Sequence, residues 1–191
     1  MSIAADLASA LRPVVETLNI LNVSYYVTGS VASSVFGAVR ATNDIDIVAN
    51  ITSGIEEKFF NSLKDKFYID LRSIQEAIRH RRSFNVVHLE SAFKLDIFIA
   101  KPTPVDRLML ERSIDVNLGI QPERLLVKFA SPEDLILSKL RWYKEGGQIA
   151  EQQLRDIHGI LNVQTKIDSN YLQNQAKAMG LADLLKDLVS D

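Results

Sequence analysis

Two short stretches of period-two alternation constrain this chain more than any other feature. They are Asp44-Ile45-Asp46-Ile47-Val48 and Phe93-Lys94-Leu95-Asp96-Ile97-Phe98-Ile99. Successive side chains of a strand point to opposite faces. Ile45 and Ile47 therefore point into a core, while Asp44 and Asp46 project together from the other side. In the second stretch Phe93, Leu95, Ile97 and Ile99 share the core face, which puts Asp96 on the opposite one. If the two strands are neighbours, all three carboxylates converge.

The rest of the chain can be laid out around these strands. Residues 4–21 carry Leu7, Leu11, Val14, Val15, Leu18 and Leu21 at helical spacing, with Pro13 as an interruption. Tyr25-Tyr26-Val27-Thr28 reads as a strand, Gly29-Ser30 as a turn, and Val31 to Phe36 as a short helix that Gly37 stops. Residues 53–66 and 73–82 read as helices with a short strand, Phe67 to Ile69, between them. Asn85 to Leu89 and Phe93 to Ala100 form an antiparallel hairpin pattern, which Pro102 and Pro104 end. Ser113 to Leu118 and Leu125 to Phe129 are two further strands, with Gly119 and Pro122 between them.

After Ala130 the pattern becomes helical. Ser131-Pro132-Glu133-Asp134 is a helix start, with an N-cap serine, proline at the first position and acids in the first turn. Gly146-Gly147 ends that helix. A second is expected from Gln148 to Val163 and a last one from Ser169 to Val189. The expected fold is α/β (α+β). A short mixed sheet flanked by helices forms a core over residues 1–130, and a helical region over 131–191 packs on it.

Composition narrows the chemistry. The 191 residues include no cysteine, which removes disulfides, thiolate ligands and a cysteine nucleophile together. Hydrophobic residues make up 47% and charged residues 24%, enough to bury a core without staples. The first residues, MSIAADLASALRPVV, lack the basic leader of a signal peptide and run into an amphipathic pattern. No apolar run approaches the ~20 residues that span a bilayer. A cytoplasmic protein with no membrane partner is therefore expected. The formal net charge of −2 means that a nucleic-acid partner would have to be met by a local patch.

Two carboxylates as close as Asp44 and Asp46 repel each other unless something positive neutralises them. Mg²⁺, or Mn²⁺ in its place, is a hard cation that takes oxygen ligands and substrate phosphates. With Asp96 added, such a cluster can hold two metals ~3.5–4 Å apart, a geometry suited to in-line displacement at phosphorus. Gly29 and Ser30, between a strand and a helix start, offer backbone N–H groups and a hydroxyl to phosphate oxygens.

Gly29-Ser30, Asp44-Ile45-Asp46 and a lone strand aspartate, Asp96, together resemble the signature of the DNA polymerase β-type nucleotidyltransferase superfamily. The run GAVRATNDIDI, with Gly37, Arg40 and Thr42 ahead of the aspartate pair, is similar to bacterial minimal nucleotidyltransferases of the abortive-infection toxin class and to antibiotic-modifying nucleotidyltransferases. The resemblance implies metal-dependent transfer of a nucleoside monophosphate from a nucleoside triphosphate (NTP) to an acceptor, releasing pyrophosphate. Asp44 and Asp46 would bind metal, and Asp96 would bind metal and help deprotonate the acceptor hydroxyl. Arg40 would sit near the site. SPEDLILSKLRWYKEGG and QQLRDIHGIL resemble the helices that follow the core in the toxin class, where a helical lysine and a downstream aspartate complete the site. Lys139 and Asp156 match by type and order, while Gly159 stands where that class has a second acid. The implied partners are an NTP, an acceptor that is RNA, protein or a small molecule, and an antitoxin-like protein.

Each feature also has a plainer reading. Lys139 shares a helix face with Leu135, Ile136, Trp142 and Tyr143, so it is either a phosphate ligand or a stem laid over apolar surface with its ammonium in water. Asp156 reads as structural, paired with Lys139 or solvated, and Arg155 as a surface residue. Arg79-His80-Arg81-Arg82 reads first as a helix C-terminus favoured by cations, and second as a patch for acceptor RNA or a triphosphate. His88 and His158 read as packed or surface imidazoles, because no spacing suits zinc. Tyr25, Tyr26, Trp142 and Tyr143 read as core or rim aromatics. Ser33-Ser34 lacks the surroundings of a nucleophile. A glycosyltransferase, which also uses an Asp-x-Asp pair, generally needs a longer fold. A fold-retaining protein that acts only by binding a partner is the non-enzymatic alternative.

Overall fold

The alternating stretches become two neighbouring strands at the middle of a seven-stranded sheet. This is seen in a computed structural model that describes residues 3–37, 39, 42–119, 124–146 and 150–190. The chain divides into two compact units. The first comprises Met1–Thr28 with Thr42–Phe129, and the second Gly29–Ala41 with Ala130–Asp191.

The first unit holds α1 (Ile3–Ile20), β1 (Tyr25–Thr28), β2 (Asp44–Ala49), α3 (Glu56–Leu63), β3 (Phe67–Tyr68), α4 (Leu71–His80), β4 (Ser83–His88), β5 (Lys94–Ile99), α5 (Pro104–Glu111), β6 (Ile114–Asn117) and β7 (Leu126–Phe129). Strand order is β3-β4-β5-β2-β1-β7-β6. The β1–β7 and β2–β5 pairs are parallel and the others antiparallel, so the sheet is mixed. Ile45, Ile47, Leu95, Ile97, Val27, Val127 and Phe129 are fully buried along the central strands. Leu11, Val14 and Leu18 of α1 and Phe59 and Leu63 of α3 are buried too, with the rings of Phe59 and Phe84 meeting edge to face. Each such side chain stabilises the fold by about 1.5–3 kcal/mol relative to exposure.

The second unit is helical: α2 (Gly29–Phe36), α6 (Pro132–Lys144), α7 (Ala150–Val163), α8 (Ser169–Ala178) and α9 (Ala182–Ser190). The Ser131 hydroxyl caps α6, accepting from the Asp134 N–H at 3.2 Å and donating to its carboxylate at 2.9 Å. The other Asp134 oxygen accepts from the Tyr171 hydroxyl at 2.6 Å, and Glu133 accepts the Asp168 N–H at 2.8 Å. These bonds tie α8 to the start of α6 and satisfy two buried acids, which would otherwise be costly to bury.

Several boundaries differ from the sequence reading. The expected single helix from Ser169 to Val189 is two, because Gly180 adopts φ +67°, a left-handed conformation that ends α8. Residues 104–111, read only as the end of the hairpin, form α5. Its signals were present in the sequence: Thr103 caps the Asp106 N–H, and Pro104 takes the first turn. Pro13 lies inside α1 without ending it. The segment read as helix over 53–66 is helical over Glu56–Leu63, and the one read over 73–82 starts earlier, at Leu71, behind an Asp70 cap. No described helix is long and apolar enough to cross a membrane.

Candidate active site

The register of the sheet assembles the acidic face. Asp46 on β2 lies opposite Asp96 on β5, and Asp44 lies opposite Lys94. Cross-strand partners share a face and sit about 4.8 Å apart between strands. Asp44, Asp46, Asp96 and Lys94 therefore stand on one side of the sheet, while Ile45, Ile47, Leu95 and Ile97 are buried on the other. The row extends further, since Thr28 on β1 is opposite Asp46 and Asn85 on β4 is opposite Asp96. The start of β2 is held by Thr42, whose hydroxyl accepts the Asp44 N–H at 3.3 Å, and by the Lys94 N–H, which donates to the Asn43 carbonyl at 3.1 Å.

Within this row one ammonium is shared by two acids. Lys94 Nζ lies 2.8 Å from Asp96 Oδ2 and 3.5 Å from Asp44 Oδ1. Its hydrogen bond to Asp96 and the charges of Asp96 and Asp44 hold the ammonium above the usual lysine pKa. The Lys94 side chain is 41% exposed and that of Asp96 23%, so the cluster is in contact with solvent and the ion pairs are partly screened. Lys94 and Asn85 carry no motif signal of their own in the sequence. Lys94 was legible as a face-mate of Asp96 two residues on, but Asn85 becomes a neighbour only through the pairing of β4 with β5.

A set of three carboxylates is chemically suited to Mg²⁺ or Mn²⁺, which prefer hard oxygen donors. Among the described residues, however, no three acid or imidazole side chains are gathered as metal ligands. The carboxylates of Asp44 and Asp96 are turned to Lys94 instead.

The remaining sequence-derived residues lie in the helical unit or outside the described residues. Gly29 follows the last residue of β1 and begins α2 at φ +66°, where a side chain would be strained. The Gly29 and Ser30 carbonyls accept hydrogen bonds from Ser33 and Ser34. Arg40 lies outside the described residues.

Lys139 on α6 and Asp156 on α7 form a buried ion pair, Nζ to Oδ2 at 2.6 Å, with side chains 5% and 6% exposed. Gln153 accepts from the same ammonium at 3.2 Å, and Gln152 donates to the second Asp156 oxygen at 2.8 Å. Of the two readings of Lys139, the stem with its ammonium in water is overturned. Leu135 and Ile136 are buried beside it, but Trp142 is 53% exposed and is not a core residue. Arg155 is at the surface, where it meets Gln152 and Glu151.

Gly159 lies where α7 crosses the end of α2. A Cβ on Gly37 would come within 2.9 Å of the Gly159 carbonyl carbon and 2.8 Å of the Ile160 nitrogen. The Gln164 side chain donates to the Phe36 carbonyl across the same crossing.

The other candidates have structural places. Arg81 closes α4 in a left-handed conformation and donates to the Ala100 carbonyl at 3.1 Å. His88 is buried against the Phe67 ring and hydrogen-bonded to Ser91, and burial lowers its pKa. His158 is exposed.

No family model matches the chain, and no curated protein matches it by sequence. Solved structures do resemble it. An antigenic nucleotidyltransferase-like protein from Paracoccidioides brasiliensis aligns with a TM-score of 0.59 at 18% identity, covering 97% of this chain and 93% of that one. The antibiotic-resistance factor ANT(2'')-Ia, in solution, aligns with a TM-score of 0.56 at 11% identity, covering 98% and 95%. The same enzyme in complex with adenylyl-2''-tobramycin gives 0.52 at 11% identity, covering 96% and 97%. At such low identity the likeness establishes architecture, and the conclusion it carries with the mixed sheet is that this chain has the nucleotidyltransferase fold.

Proposed function

We propose that this protein transfers a nucleoside monophosphate from an NTP to an acceptor hydroxyl. The acceptor oxygen forms a bond to the α-phosphorus, the bond to pyrophosphate breaks, and the acceptor proton passes to Asp96. The observation that carries this reading is the register that sets Asp46 opposite Asp96 and Asp44 opposite Lys94 on the central strands. Asp44, Asp46 and Asp96 are assigned to a divalent cation, Mg²⁺ or Mn²⁺, which when bound orients the triphosphate and neutralises developing charge. Gly29 and Ser30 offer backbone donors to phosphate oxygens, and Arg40 is assigned to the same anion. Lys139 is assigned to the nucleotide as an ammonium held by Asp156 and Gln153.

The acceptor is RNA, protein or a small molecule. The toxin-class motif favours the first two, with an antitoxin-like partner. The fold shared with ANT(2'')-Ia, a structure of which holds adenylyl-2''-tobramycin, places aminoglycosides in the same screen. Titration calorimetry of each NTP, with and without Mg²⁺, tests the reading on wild type and on the Asp44→Ala/Asp46→Ala double variant. Binding that needs the metal and is lost in the double variant is expected. A folded wild-type protein that binds no NTP, alone or with candidate acceptors present, would sink the enzyme reading in favour of a partner-binding protein.

A further inference from the structure

We infer that Lys94 is a built-in counter-cation that competes with the divalent metal for Asp44 and Asp96, and so sets how weakly the protein holds metal. This rests on the metal-site reading above. Two observations carry it. The ammonium bonds both carboxylates, at 2.8 and 3.5 Å. It does so from the same sheet face, where Lys94 is the cross-strand partner of Asp44 and stands two residues from Asp96.

A cation bonded to Asp44 and Asp96 cannot coexist with a divalent ion on the same oxygens, because like charges at contact distance repel strongly in a partly desolvated site. Metal entry therefore requires the ammonium to leave. Lys94 has the means to do so: its side chain is 41% exposed on a flexible four-carbon stem. Once displaced it is a mobile cation beside the metal, and the triphosphate is the anion available to receive it. Metal brought by an NTP thus meets a smaller penalty than metal alone, which couples nucleotide and metal binding.

Calorimetric titration of Mn²⁺ alone tests this on wild type, Lys94→Met and Lys94→Arg, with folding checked by circular dichroism. The Met variant removes the charge at similar length and is expected to bind Mn²⁺ about tenfold more tightly, since a single nearby positive charge is gone. The Arg variant, which keeps a cation with a fork suited to carboxylates, is expected to bind Mn²⁺ no more tightly than wild type. Equal Mn²⁺ affinity in wild type and Lys94→Met, or weaker binding in the variant, overturns the inference while leaving the metal site intact. No Mn²⁺ binding by either protein overturns the metal-site reading and the inference together.

Discussion

Two of the lysine–aspartate contacts among the described residues differ sharply in physics. Lys94 on the sheet bridges Asp44 and Asp96 with solvent at hand. Lys139 in the helical unit is closed in with Asp156, Gln152 and Gln153. Exposed ion pairs contribute little to stability because water and salt compete for each charge. Buried pairs are the opposite case, since losing one partner strands the other charge away from water. The sheet cluster is therefore suited to exchanging its cation, and the helical cluster to holding one in place.

Breaking each cluster is the largest test of this contrast. Asp156→Ala is expected to lower unfolding free energy by about 3–5 kcal/mol. Lys94→Met is expected to lower it by less than about 1 kcal/mol. Urea denaturation of both variants measures the difference, and equal losses would erase the distinction.

A smaller effect tests the packing that positions the buried pair. Gly37→Ala drives a Cβ into the backbone of Gly159 and Ile160 on α7. Backbone yields less readily than side-chain ends, so a loss of about 1–3 kcal/mol is expected. A denaturation midpoint unchanged from wild type would show that the α2–α7 crossing has slack.

The smallest effect is confined to a pH window on the sheet side. Burial lowers the folded-state pKa of His88 below its unfolded value of 6.5. As pH falls, the unfolded chain takes up the proton first. The stability from neutral His88 is therefore intact above that value and is lost between it and the lower folded value. Stability of the wild type should fall as pH drops through this window, and His88→Gln should flatten that part of the profile. A parallel profile in the variant would assign the pH dependence to other groups.

Much of the fold was legible because its signals are local. Alternation marked β2 and β5, and the Ser131 cap with Pro132 marked α6. The Thr103 cap marked α5 equally well but was masked by the two prolines around it, which read as breakers. The split at Gly180 carries the same glycine signal that stops the helix at Gly37, but apolar residues continue on both sides of it, and the left-handed conformation decides the break. Among the candidate residues, the shared face of Asp44, Asp46 and Asp96 is readable from the alternation. Lys94 is readable as a face-mate of Asp96, but its sharing with Asp44 is not, because that contact depends on which strands meet.

The sequence by itself determined which face of each strand carries charge, because the pleat forces neighbouring residues to opposite sides whatever the strand packs against. It also determined where several helices begin, because an N-cap acts within one turn. Only the tertiary structure decided that β5 lies beside β2 in parallel, with Asp96 opposite Asp46. It alone brought Lys139 of α6 to Asp156 of α7. Those contacts join residues far apart along the chain, and their geometry is set by strand order and helix crossing, which no local pattern encodes.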